Sequence, residues 1–121
     1  MSDTTSRDDF LNRLKRSNEV EITVTGRKSK KRFSTPVWFV VEGRRVVIVP
    51  TKGSDNNWFK NVTKDPKIEL SAGGISIPVR ATVVKDAGQV TKVVDELKTK
   101  YKSMWSDSYY SKRDVCVEVT L

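Results

Sequence analysis

Apolar and polar residues alternate with a period of two through much of this chain, and that period commits it to a sheet. Val20, Ile22 and Val24 alternate with Glu19, Glu21, Thr23 and Thr25. Val115, Val117, Val119 and Leu121 repeat the pattern at the other end. Successive side chains of a strand point to opposite faces, so each segment predicts a strand with one buried face. Similar strands are predicted over 33–41, 45–50, 67–72 and 75–85. Pro36 puts the first of these at an edge or a bulge, because proline donates nothing to a ladder. Glu42-Gly43-Arg44 makes one turn, and Gly73-Gly74 signals a tight hairpin. Hairpin links make antiparallel neighbours.

Three segments follow the helical period. Ser6-Arg7-Asp8-Asp9 reads as a capping box ahead of Phe10, Leu11 and Leu14, predicting a short helix over 6–16. Ser54 or Asp55 caps a helix of about two turns that ends before Pro66. Val90, Val93, Val94, Leu97 and Tyr101 form the stripe of an amphipathic helix over 86–104, which SDSYYSKRD breaks. The order is helix, three strands, short helix, two strands, long helix, strand. Six strands with few free edges predict an α+β, mainly β fold: a six-stranded, largely antiparallel split β-barrel with flanking helices. No repeat or linker interrupts it, so residues 1–121 read as a single domain.

Histidine is absent. That excludes Ser-His-Asp and Cys-His catalysis and removes the commonest metal ligand. The single cysteine, Cys116, excludes an internal disulfide and a multi-cysteine metal site. It falls opposite the valine stripe of the last strand and reads as structural. No metal site is expected, and if the chain is an enzyme, its hard chemistry belongs to a cofactor. No apolar run approaches the roughly 18 residues of a membrane span. The start, MSDTTSRDDF, lacks the pattern of a signal peptide, so a cytoplasmic protein is expected.

Lysine and arginine number 23 against 15 acidic residues, a net charge of +8. Such a balance serves solubility, and it also favours polyanions: nucleic acid, an anionic membrane face, or a phosphorylated or polycarboxylate ligand. Five of the six residues from Arg27 to Arg32 are basic. A loop of this kind can grip a phosphate or carboxylate, arginine in bidentate fashion and lysine as a mobile point charge. Equally, it can be a solvated hairpin tip. In PTKGSDNNW, Thr51, Lys52 and Gly53 lead to a helix N-terminus, either an anion site built from free N–H groups or an ordinary capped helix. Trp38, Phe39, Trp58, Phe59, Tyr101 and Trp105 serve either core packing or the stacking of a flat ring. Tyr109 and Tyr110 lie in the polar break, where one of them can be exposed and functional.

The stretch VTGRKSKKRFSTPVWFVVEGRRVVIVPTKGSDNNWFKNVTKDPKIEL resembles the deazaflavin-dependent nitroreductase family, among the flavin/deazaflavin oxidoreductase split β-barrels. The shared elements are T-G-R-K-S, S-T-P-V, T-K-G, W-F-K-N and D-P in that order, over residues 20–85, and the final V-C-V-E-V strand is also similar. The resemblance implies binding of coenzyme F(420), an 8-hydroxy-5-deazaflavin with a ribityl chain, a phospholactyl group and a polyglutamate tail. Arg27, Lys28 and Ser29 match the loop that contacts the phosphate and tail. Ser34, Thr35, Pro36 and Val37 match the strand beside the ring system. Thr51, Lys52 and Gly53 match a second lining segment, and Trp58 and Asn61 the short-helix positions near the phosphate end. Tyr109 or Tyr110 corresponds to a tyrosine that shapes the substrate pocket.

The usual loop of that family reads G-R-K-S-G, and Lys30 stands here in place of its last glycine. If that position needs φ > 0, the lysine is strained. The activity implied is hydride transfer from the reduced deazaflavin to an electron-poor small molecule: an activated alkene, a quinone or a nitro compound. Lys52, Tyr109 or Tyr110 would stabilise charge developing on that substrate. FMN in the same barrel, binding without turnover, and a basic nucleic-acid-binding module are the alternative readings. Split barrels of this general kind are often homodimers.

Overall fold

The computed structural model describes residues 3–121, with side chains from Arg7 onward. Val20, Ile22 and Val24 are sealed from solvent and turn one face of β1 (Val20–Thr25) to the core. Around β1 lie β2 (Arg32–Val37), β5 (Lys67–Ala72) and β6 (Ile75–Arg80), in the order β2-β1-β5-β6. A second sheet contains β3 (Val40–Glu42), β4 (Arg45–Ile48), β7 (Thr82–Val84) and β8 (Cys116–Thr120), in the order β3-β4-β8-β7. Every pairing is antiparallel. Pro36 lies on β2, an edge strand, as its missing N–H requires. Gly73 and Gly74 turn the β5–β6 hairpin with φ of +56° and +82°.

Two four-stranded sheets replace the expected six strands. The strand expected over 33–41 breaks at Trp38-Phe39, and the one expected over 75–85 breaks at Ala81. Each of the two segments gives its first half to one sheet and its second half to the other. A residue at such a break loses its place in the ladder, so its backbone needs other partners. Phe39 finds them at the end of α3 (Ala87–Lys100). Its N–H donates to the Tyr101 hydroxyl (3.3 Å), which also lies 2.8 Å from the Asn18 carbonyl as a donor. The Lys100 ammonium donates to the Phe39 carbonyl (2.9 Å) and sits 3.6 Å from the centre of its ring. Burial pulls that ammonium down to about 8. Trp38 stacks on Tyr101 with centroids 4.3 Å apart. At the other break, the Ala81 N–H donates to the Pro66 carbonyl (2.9 Å).

The core has two parts. Between the sheets, Ile22, Val24, Ile48, Leu70, Val117 and Val119 meet Phe10 and Leu14 of α1 (Asp3–Lys15) and Phe59 and Val62 of α2 (Asn57–Lys64). On the outer face of the second sheet, the stripe Val90, Val93, Val94 and Leu97 of α3 covers Val40, Val47 and Cys116. Cys116 therefore faces away from its valine neighbours, as the alternation requires. Each such buried aliphatic side chain contributes roughly 1.5–3 kcal/mol.

Helix ends depart from the sequence reading. α1 already runs through Ser6, so Ser6 is not its N-cap. Ser54 and Asp55 lie in a single 3-10 turn, and Asn56 caps α2 by accepting from the Trp58 N–H (3.1 Å). α3 stops at Lys100 rather than 104, because Tyr101 leaves helical geometry (φ −109°, ψ 31°). No helix among the described residues is long and apolar enough to cross a membrane.

Tyr101→Phe removes the acceptor of the Phe39 N–H while keeping the ring stack. Urea unfolding should show a loss of about 1–3 kcal/mol, the cost of an unmet buried polar group.

Candidate functional site

The basic loop closes the β1–β2 hairpin. The Gly26 N–H donates to the Lys31 carbonyl (2.7 Å), and the Lys30 N–H to the Gly26 carbonyl (3.0 Å). A Cβ on Gly26 would lie 2.7 Å from the Phe33 ring and 2.8 Å from the Ser29 hydroxyl, so a larger residue would have to push those side chains aside. Lys30 takes φ +62°, the left-handed region that penalises a side chain. The position that departs from the G-R-K-S-G pattern is thus a strained one.

Arg27 is held from outside the loop. Asn61, buried on α2 at 7% exposure, accepts with Oδ1 from the Arg27 backbone N–H (3.1 Å) and from its guanidinium (2.7 Å). Among the described residues, the Asn61 side-chain NH₂ makes no hydrogen bond, and Asn61 lines a cleft. That cleft, of about 580 Å³, opens between the loop, β2 and the start of α2.

The cleft brings together Arg27, Lys28 and Ser29 of the loop, Ser34 and Thr35 of β2, Lys52, and Trp58 and Asn61 of α2. The other expected residues do not line it. Pro36 and Val37 continue β2 beyond it. Thr51 and Gly53 shape the segment that carries Lys52: the Thr51 carbonyl accepts from the Ser111 N–H (3.0 Å), and Gly53 has φ +55°. A Cβ on Gly53 would run into the Asp114 carboxylate and the Lys112 carbonyl, so this glycine serves packing. Tyr109 and Tyr110 lie outside the lining, within an aromatic cluster. Tyr110 is buried against Trp105 (4.9 Å, stacked), and burial first, then Tyr109 and Tyr101, push its hydroxyl pKa well above the ordinary range. Tyr109 is exposed and tilts against Trp38 at 5.5 Å.

The structure adds residues that the sequence reading did not single out. Phe33 forms an apolar wall facing the cleft, and Asp55 and Asn57 edge its other side. Asp114 fastens the Lys52 segment, accepting from the Ser54 N–H (3.0 Å) and the Ser54 hydroxyl (2.6 Å). Burial raises its pKa, but those two donors and Lys112 outweigh burial and hold the carboxyl below the usual range. Asp114 stands 60 positions from Ser54, so no local pattern marks it.

This arrangement can hold a phosphate or carboxylate on a fixed guanidinium, two lysines and a buried amide, with Phe33 and Trp58 as apolar walls. Among the described residues its lining holds no histidine and no cysteine. Cys116 is fully buried, and burial pushes its thiol up to about 11. Among the described residues no cluster of metal-ligating side chains occurs.

The profile of the family described as "Uncharacterized protein conserved in bacteria (DUF2255)" matches residues 10–117. The chain belongs to that family. No curated protein matches this DUF2255 chain. Among solved structures, an F420-H2 dependent reductase (FDR-A) is 23% identical, covers 84% of this chain and 93% of its own, and has a TM-score of 0.61. An F420 reductase is 17% identical over 90% of each chain, with a TM-score of 0.68. A protein described as a domain-swapped dimer is 21% identical over 98% of this chain and 99% of its own, with a TM-score of 0.63. The resemblance to the deazaflavin-dependent nitroreductases is therefore borne out at the level of the fold.

Lys30→Gly removes the left-handed strain and should raise thermal stability by about 0.5–1 kcal/mol, after the greater chain entropy of glycine is counted. Asp114→Ala strips two hydrogen bonds from Ser54. It should cost about 1–3 kcal/mol and speed amide exchange selectively over residues 51–55.

Proposed function

We propose that this DUF2255 chain is an oxidoreductase that binds coenzyme F(420) in the cleft and directs its hydride to an electron-poor acceptor: an activated alkene, a quinone or a nitro compound. One observation carries the reading. Arg27 is locked by buried Asn61 at a cleft that also holds Lys28 and Lys52. A preset cation of this kind suits a phosphate, and neighbouring lysines suit a carboxylate tail. The apolar walls suit a flat ring, and the resemblance in the loop, strand and helix motifs points to the same ligand. When bound, the deazaflavin supplies the hydride at its C5.

The chain's own part is binding and placement. Arg27 and the Asn61 amide hold the phosphate, and Lys28 meets the tail. Among the described residues β2 pairs only with β1, so the N–H and C=O groups of its outer edge are free to hold the polar rim of a ring next to Ser34 and Thr35. Lys52 faces charge that develops on the acceptor. Tyr109, exposed, is the tyrosine placed to meet a substrate, while Tyr110 supports it from the core. We read the two shared segments, 32–42 and 75–84, as the seams of a six-stranded split barrel. A homodimer in the cytoplasm completes the proposal, in keeping with the domain-swapped neighbour.

The test is a titration of the purified protein with F(420), FMN and a single-stranded oligonucleotide. F(420) should bind saturably and more tightly than FMN. Arg27→Ala and Lys28→Ala should each weaken it by about tenfold, the worth of a hydrogen bond to a charged group. Reduced F(420) should then be consumed with at least one acceptor of the three classes. Unchanged affinity in the double variant, or binding of FMN alone, would overturn the assignment.

A further inference from the structure

The loop holds more cations than the cleft uses. Arg27 and Lys28 line the cleft, while Lys30, Lys31 and Arg32 lie outside its lining and are exposed. Beside them Phe33 is 51% exposed, although it is a large apolar ring. The tie from Arg27 to Asn61 lays this turn against α2, where Lys60 and Lys64 flank Asn61 and are exposed as well. Among the described residues, no ion pair involves Lys28, Lys30, Lys31, Lys60 or Lys64, and Arg32 reaches Glu69 only at 3.9 Å. The turn even keeps a lysine at φ +62°, where glycine would be free of strain.

We propose that this face docks the protein on an anionic membrane surface, with Phe33 entering the headgroup layer and the surrounding lysines held by the negative surface potential. Basic residues near an anionic bilayer add their attractions, and one aromatic ring at the centre supplies the apolar contact that charge alone lacks. Nucleic acid fits this face less well. Binders of single strands offer several exposed rings for successive bases, and among the described residues Phe33 is the exposed ring beside these cations. The docking goes beyond the cofactor reading: Lys30 and Lys31 lie outside the cleft lining, while Phe33 stands at the cleft's rim and would serve both.

The full chain would be sedimented with vesicles of phosphatidylcholine mixed with phosphatidylserine, and with pure phosphatidylcholine, at low and high salt. We expect binding to the mixed vesicles alone, weakening as salt rises. The paired change Lys30→Gly and Lys31→Ser keeps the turn geometry and should cut binding by on the order of tenfold. Phe33→Ser should reduce binding severalfold while leaving its salt dependence in place. Lys60→Glu on the helix gives an independent variant, and circular dichroism confirms that each is folded. Absence of binding to the mixed vesicles, equal binding to pure phosphatidylcholine, or binding untouched by the lysine changes would overturn the proposal. So would tighter capture of a single-stranded oligonucleotide through the same lysines.

Discussion

The break at Trp38-Phe39 is the constraint from which the rest of the structure follows. A strand that changes sheets must free one residue's backbone from both ladders, and a freed buried amide is costly unless something accepts it. Tyr101 does so with a single hydroxyl, bridging the Phe39 N–H and the Asn18 carbonyl, while Lys100 takes the Phe39 carbonyl. These two residues stand at the end of α3, so the helix that covers the second sheet also fixes where the first sheet gives way to it. β2 is left at an edge with its outer side open, and the cleft forms there.

Three remote parts of the chain meet at that opening, and each is fastened by a short polar contact. Asn61 ties α2 to the loop through Arg27. Asp114 ties the segment before β8 to Ser54, next to Lys52. Asn56 caps α2 itself through the Trp58 N–H. The Arg27 guanidinium is therefore set before any ligand arrives, which lowers the ordering cost that a flexible basic loop would impose on binding. Asp55 does not cancel this field. Its carboxylate, though at the edge of the cleft, pairs with Lys112 (3.2 Å).

Much of the fold was legible because its signals are local. The alternation of Val20, Ile22 and Val24 foretells β1, and the stripe from Val90 to Leu97 foretells α3 and its buried face. The pair Gly73-Gly74 marks its hairpin. The two breaks were not legible, because both halves of each broken strand keep apolar alternation, and only the partner of Phe39, 62 positions away, shows where pairing stops. The cap of α2 was missed by one or two residues, since Ser54, Asp55 and Asn56 all suit the role and Asp114 claims Ser54. At the site, Arg27, Lys28, Ser29 and Asn61 carried their resemblance into one cleft. Gly53 packs against Asp114 and Lys112 and Tyr110 is buried, placements that depend on neighbours more than fifty positions distant in one case and on burial in the other.

What the chain lacks also shapes what its cleft can do. It has no histidine, its thiol is sealed in the second core, and Tyr110 is held protonated by burial. A reaction whose reactive group arrives on a bound molecule needs cations to hold that molecule, an apolar wall and an open side for the second reactant. Arg27, Lys28 and Lys52, with Phe33 and Trp58, supply the first two, and the unpaired edge of β2 leaves room for the third.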